Sequence, residues 1–72
     1  MKKVYIKFKD DFELFNNDYE DADLIYNKEI NMVAIDNVKE IKCDGEKIKV
    51  YYTNKRYEVV YNTNTIIDIV VN

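Results

Sequence analysis

The sequence predicts a mainly β domain, a small antiparallel sheet of five to six strands that is curled or closed into a barrel. Apolar and polar residues alternate with period two over several short runs, which is typical of strands with one buried face. Asp44-Gly45 separates two such runs, and this dipeptide is the strongest short-range signal for a hairpin. The 72 residues have room for one small domain, 1–72.

The N-terminal third of the chain leaves two interpretations open. Residues 4–8 alternate and predict the first strand, and residues 9–11 are polar and predict a turn. Phe12 and Leu14 continue the alternation and favour a second strand that closes a hairpin. A short helix over residues 10–20 is the alternative, because the aromatic residues there also follow a helical spacing, and the class would then be α+β.

The remaining strands follow from the same alternation and from the turn residues between them. Strands are predicted at residues 24–26, 30–35, 38–43, 46–53 and 56–61. Asp36-Asn37 is predicted to break the chain, and Asn54-Lys55 is predicted to form a tight turn.

The C-terminal segment, residues 64–71, favours a further strand. Five of the six residues from 66 to 71 are β-branched and apolar. A short helix capped by Asn62 or Asn64 is the alternative, and it also would make the fold α+β.

Composition argues against catalysis. The chain has no His, one cysteine (Cys43) and one glycine, which removes the common nucleophile–base pairs, paired thiol ligands and phosphate-binding glycine loops. Residues 16–23 offer carboxylate and amide oxygens, but they lack the glycine of a calcium loop. We therefore predict no enzyme, no catalytic residue, no cofactor and no metal site.

The same features indicate where the protein works. A lone cysteine excludes an intramolecular disulfide, and the N-terminus lacks the apolar run of a signal peptide or a membrane span. Abundant Asn, Lys, Ile and Tyr are typical of AT-rich coding DNA. We expect a cytoplasmic protein of a bacterial host cell, encoded by a low-GC bacterium or its phage.

Charge is distributed unevenly along the chain. Residues 10–36 carry nine acids and one lysine and sum to −8, whereas residues 1–9 sum to +4 and residues 37–72 to +1. A solvated loop that discourages aggregation would explain this asymmetry. A negative surface that competes for a basic, nucleic-acid-binding groove on a partner protein also would, because phosphate contacts dominate such grooves.

On the second interpretation, the partner-binding residues are the acids of the acidic segment, residues 10–23, together with two tyrosines that anchor the contact. They are Asp10, Asp11, Glu13, Asp18, Tyr19, Glu20, Asp21, Asp23 and Tyr26.

Residues 46–61 present basic side chains close to tyrosines, a pattern also found on surfaces that bind single-stranded nucleic acid. An ordinary solvent face with cross-strand pairs, such as Lys49 opposite Glu58, is the favoured explanation of the pattern. The acidic pI of about 4.8 opposes direct nucleic-acid binding.

In size, composition and the acidic run Asp10–Asp23, the chain resembles small acidic proteins of phages and mobile elements, including anti-CRISPR and other anti-defence inhibitors. The resemblance implies a non-enzymatic inhibitor that blocks a nucleic-acid channel with carboxylates. It has no residue-level signature. The alternative function is a structural or assembly module, a homodimer or an accessory subunit joined through sheet edges and tyrosines, and a carboxylate- or metal-dependent enzyme comes third.

Overall fold

The computed structural model describes residues 2–12 and 22–72, which form one antiparallel sheet of six strands. The strands are β1 (Lys2–Phe8), β2 (Leu24–Asn27), β3 (Met32–Asp44), β4 (Lys47–Tyr52), β5 (Glu58–Asn62) and β6 (Ile66–Val71). A 3₁₀ turn, Thr63–Thr65, connects β5 to β6. Within the described residues the fold is mainly β and contains no α-helix, as the period-two alternation predicts.

The 13-residue strand β3 is the spine of the sheet. Its first half pairs with β1 on one edge and with β2 on the other, and its second half pairs with β4. The strand order is β5-β4-β3-β1-β6, with β2 beside β3 in line with β4. Because β5 and β6 do not pair, the curled sheet is not closed into a barrel.

A bulge at Asn37 bends β3. Val4 pairs with Ile35 but Lys2 pairs with Val38, so β3 holds one extra residue between these two pairs. Asn37 has a φ of 58°, a left-handed conformation that Asn tolerates better than most residues. The predicted break at residues 36–37 is therefore a bulge inside a continuous strand, and such bulges bend and twist a sheet.

The bend places the inner faces of both halves of the sheet around one core. The buried core residues are Val4, Ile6, Phe8, Leu24, Val33, Ile35, Val38, Ile48, Val50, Tyr52, Val59 and Tyr61. Phe8 is fully buried at the end of β1, and its ring lies 5.1 Å from that of Tyr61 on β5. Distant strands of one sheet thus meet across its concave face.

Two turns locate the central hairpins. Asp44 pairs with Lys47, so the first loop consists of Gly45 and Glu46, and Gly45 has the positive φ of 61° that a type II′ turn requires at its first central position. Residues 53–57 form a longer loop than the tight turn predicted at Asn54-Lys55. The register is nevertheless that of a two-residue turn at residues 54–55: Lys49 pairs with Val60, and Glu58 pairs with Tyr51, so the predicted Lys49–Glu58 pair is wrong.

The two open questions about helix and strand have different outcomes. The C-terminal segment is strand β6, which confirms the favoured interpretation and excludes the helix. The hairpin predicted between residues 4–8 and Phe12-Leu14 is wrong, because β3 and β6 occupy both edges of β1. Residues 10–12 follow β1 as a turn, and the rest of the predicted helix or strand lies outside the described residues.

Truncation of the core aromatic should be severe. Phe8→Ala should lower the free energy of unfolding by about 3–5 kcal/mol, because it removes a buried ring that bridges β1 and β5. A chain of this size has a total of roughly 4–10 kcal/mol. Urea denaturation followed by circular dichroism measures the loss. Ile67→Ala, at a site 59% exposed, is the control and should stay within about 0.5 kcal/mol; equal losses in both variants would contradict the assignment of the core.

Candidate binding site

The described part of the predicted acidic surface begins directly after β1. Asp10 and Asp11 are exposed in a turn that the Phe12 N–H closes by donating to the Lys9 carbonyl at 3.0 Å. Phe12 then returns to the core, where its ring lies 4.6 Å from that of Phe8. The turn therefore holds two carboxylates in solvent while an aromatic side chain fixes its far end.

Asn31, which lies just before β3, holds this turn against the rest of the sheet. Its side-chain amide donates to the carbonyls of Lys9 and Phe12, both at 2.7 Å, and its Oδ1 accepts from the Tyr26 hydroxyl. Its own carbonyl accepts from the Phe8 N–H at 2.9 Å. With a φ of 51°, Asn31 adopts a left-handed conformation, so both its backbone and its side chain are suited to this position.

An open cleft of about 390 Å³ lies between this turn and the turn that follows β2. It is lined by Asp10, Phe12, Tyr26, Lys28, Glu29 and Asn31. The cleft thus combines two carboxylates with two aromatic rings, an amide and an ammonium group. These groups can make polar and aromatic contacts with a bound partner.

Asp23 occupies a different place, just before β2. Its carboxylate lies 2.9 Å from the Lys55 ammonium and accepts from the Asn37 side-chain amide at 3.0 Å. Its carbonyl accepts from the Asp36 N–H at 2.8 Å. The Asp23 and Lys55 side chains are only 19% and 21% exposed, so this is a partly desolvated ion pair that connects the β4–β5 loop to the bulge.

Aromatic rings complete the surroundings of Lys55. Its ammonium lies 4.5 Å from the ring centroid of Tyr52 and 5.8 Å from that of Tyr57, distances at which cation–π attraction operates. The two rings contact each other edge to face, with centroids 5.7 Å apart. The lysine is thus held between a carboxylate and two π-faces, and it is a structural residue of the fold.

The structure brings together only part of the predicted binding site. Asp10 and Tyr26 line the same cleft, and Asp11 lies beside them in the turn. Asp23 contacts the bulge at the opposite end of β2 and belongs to an internal network. The other predicted residues, Glu13, Asp18, Tyr19, Glu20 and Asp21, lie outside the described residues.

The roles of two residues in this region, Asn31 and Lys55, were not predicted from the sequence. Asn31 and Lys55 make contacts with residues 19 to 32 positions away, which no local pattern reports. The available signal for Asn31 was its residue type, because Asn following a polar turn is a candidate for positive φ. No sequence signal distinguishes Lys55 from the other lysines.

The outer face of β3, β4 and β5 carries basic and acidic side chains in alternation. Lys42 and Lys49 lie directly opposite each other, yet each also contacts an acid: Glu40 at 3.8 Å and Asp44 at 3.6 Å, respectively. The Lys42 ammonium also lies 5.6 Å from the Tyr51 ring. This arrangement favours the ordinary mixed-charge surface over a basic strip that follows a nucleic-acid backbone.

Two structural absences hold for residues 2–12 and 22–72. In these ranges no three acidic or cysteine side chains converge as metal ligands. No helix there is long and apolar enough to cross a membrane.

Asn31 allows a test that separates its backbone from its side chain. Asn31→Ala should lower the free energy of unfolding by about 2–4 kcal/mol, because it removes three hydrogen bonds and because Ala tolerates the positive φ less well than Asn. Asn31→Gly loses the same side-chain hydrogen bonds, but Gly adopts positive φ without strain. It should therefore lower the free energy of unfolding by only about 1–2 kcal/mol. Equal stability of the two variants in urea denaturation would show that the left-handed backbone contributes nothing.

The Asp23–Lys55 pair should be coupled more strongly than a surface pair. A double-mutant cycle of Asp23→Asn and Lys55→Met should give a coupling energy of about 1–2 kcal/mol, because the pair is largely shielded from solvent. The matched control is Lys3–Asp36, at 3.7 Å and roughly half exposed, with an expected coupling below about 0.5 kcal/mol. Thermal or urea unfolding of the four chains of each cycle measures both values, and equal couplings would remove the structural role assigned to Asp23.

We compared the chain with protein-family models, with curated proteins and with solved structures, and none of the three comparisons gave a match. The resemblance to anti-defence inhibitors therefore rests only on size, composition and the acidic run. What the site can do has to follow from the charge, exposure and contacts of this chain's own residues.

Proposed function

We propose that this chain is a non-enzymatic binding protein that inhibits or modulates a protein with a basic, nucleic-acid-binding groove. The acidic segment, residues 10–23, is the binding surface. The observation that carries the proposal is the charge of −8 over residues 10–36 in a chain whose total is −3. Along the sequence, four of the nine acids in this range lie between two well-anchored residues, Phe12 and Asp23.

Those two anchors use interactions that do not depend on the exposed acids. The Phe12 carbonyl accepts from Asn31 and its ring packs on Phe8. The Asp23 carbonyl accepts from Asp36, and its carboxylate contacts Lys55 and Asn37. The exposed carboxylates of Asp10 and Asp11 take no part in these contacts.

The electrostatics of such a surface suit a groove built for phosphates. A groove of lysines and arginines derives much of its affinity from neutralising phosphate charges, and a row of carboxylates offers the same charge. Opposite charges also accelerate encounter and make the complex sensitive to salt. Acids without lysine partners are the ones that contribute most to this field.

The described acids differ in this respect. Asp36, Glu40 and Asp44 each contact a lysine within 4 Å. Asp10 and Asp11 are exposed and form no ion pair within residues 2–12 and 22–72. The unpaired carboxylates at the start of the acidic segment therefore support the proposal, while Asp23 is better assigned to the fold.

The alternative function is assembly, and a different observation favours it. Ile25, Tyr57, Val60, Ile67, Val70 and Val71 are among the large apolar side chains that remain exposed. Exposed apolar side chains are typical of an interface where they adjoin in one contiguous patch.

Charge reversal tests the proposed function. Immobilised protein should capture basic proteins from a bacterial lysate at low salt, and an added DNA duplex should release those held by their nucleic-acid groove. Asp10→Lys with Asp11→Lys should reduce this DNA-releasable fraction several-fold, and adding Asp18→Lys, Glu20→Lys and Asp21→Lys should abolish it.

A control with the same change in net charge is available elsewhere on the surface. Glu46→Lys with Glu58→Lys reverses two exposed acids outside the acidic segment and should leave the captured fraction nearly unchanged. Circular dichroism should confirm that all variants stay folded. Loss of capture in the control to the same extent as in the Asp10 and Asp11 variant would mean that net charge alone, without a defined surface, accounts for binding.

A further inference from the structure

An apolar row crosses the outer face of the sheet at mid-height. The register pairs Ile25 with Ala34, Ala34 with Tyr5, and Tyr5 with Val70, so these four residues adjoin across β2, β3, β1 and β6. Ile25 is 66% exposed and Val70 46% exposed, while Tyr5 and Ala34 between them are partly exposed. Neighbouring strands place such side chains about 5 Å apart, which makes the row a continuous surface.

Charged residues border the row on both sides. On one side Lys3 and Asp36 contact each other at 3.7 Å, and on the other side Lys7 lies opposite Asp68. An apolar centre with a polar rim is the usual anatomy of a protein interface. Along the row the side chains differ in size, in the order Ile25, Ala34, Tyr5, Val70. A partner surface must have a complementary order of sizes.

A second copy of the chain can pack its own outer face on this one with two-fold symmetry. A two-fold axis parallel to the strands, between β3 and β1, sets β1 of one copy over β3 of the other. Tyr5 then lies over the small Ala34 of the second copy, and Ile25 lies over Val70. The same rotation sets Lys3 over Asp36 of the second copy, so charge and size are complementary at both symmetric positions.

We propose that the chain forms a homodimer through this outer face of β2, β3, β1 and β6. The inference is independent of the acidic binding surface. Face-to-face packing is favoured over strand addition at the open edge of β6. At that edge Asp68 Oδ1 already accepts from the Ile69 N–H at 2.9 Å. A side chain that satisfies an edge donor in this way is a means by which edge strands avoid pairing.

The size of the face predicts a weak, reversible dimer. Four strands about 4.8 Å apart, each contributing about five residues of 3.3 Å, give a flat footprint of roughly 300 Å². Corrugation by side chains increases the accessible area, but the value stays below the ~800 Å² per partner of a standard interface. The mass should therefore depend on concentration.

Mixing two charge variants tests the geometry. Lys3→Asp places only acids at the two ionic positions of the dimer, and Asp36→Lys places only lysines there, so each variant alone should dimerise less than the natural chain. A mixture should form the heterodimer in preference to either homodimer. The intramolecular Lys3–Asp36 contact is lost in both variants and stays lost in the mixture, so recovery reports the contact between copies alone.

Native mass spectrometry distinguishes the three dimers by mass, and sedimentation equilibrium gives their dissociation constants. Both need reducing conditions because Cys43 is exposed. Ile25→Asp with Val70→Asp should weaken dimerisation at least about tenfold, since it buries unpaired carboxylates. Val60→Asp, at an apolar site of β5 that is 43% exposed, should not weaken it.

Three results would overturn the proposal. One is a chain that stays monomeric up to about 1 mM, the dissociation constant of a weak complex. Another is a statistical mixture of the two charge variants with no preference for the heterodimer. The third is a dimer that Ile25→Asp with Val70→Asp leaves intact, which would place the interface elsewhere.

Discussion

The bend of β3 at Asn37 is the constraint on which the rest of the structure depends. One 13-residue strand pairs with β1 and β2 before the bend and with β4 after it, so a single sheet supplies both walls of the core. Without the extra residue, the strand would continue its strict alternation, and Val38 would point away from the core that Val33 and Ile35 enter. The burial of all three residues shows what the bulge accomplishes.

The network around Asp23 stabilises the same bend. Asn37 donates to the Asp23 carboxylate, and its carbonyl accepts from the Thr53 N–H at 2.9 Å. Lys55, held over two tyrosine rings, brings the β4–β5 loop to the same carboxylate. These contacts fix the bulge, the β4–β5 loop and the start of β2 relative to one another. Asp23, at the far end of the acidic segment, therefore has a defined position on the sheet.

Local patterns predicted the parts of this fold that depend on local physics. The strands at residues 24–27, 47–52 and 66–71 follow from period-two alternation and β-branched residues, because one face of each strand meets the core. The predicted Lys49–Glu58 pair was wrong by two positions, because a slip of two residues leaves every side chain on the same face and period-two alternation cannot distinguish the two registers. Sequence also grouped Asp23 with the exposed acids, since its partner Lys55 lies 32 positions away and nothing nearby identifies it.

The two proposed surfaces are compatible because they lie on different parts of β1. Tyr5 is in the middle of the strand, on its outer face, whereas Asp10 and Asp11 follow its C-terminal end. A two-fold axis parallel to the strands keeps their direction, so β1 of both copies would end on the same side of the dimer. Both acidic turns would then face one partner together, and a second linked contact multiplies apparent affinity without new chemistry. Weak dimerisation and salt-sensitive binding would reinforce each other, since a partner that engages both acidic surfaces also stabilises the contact between copies.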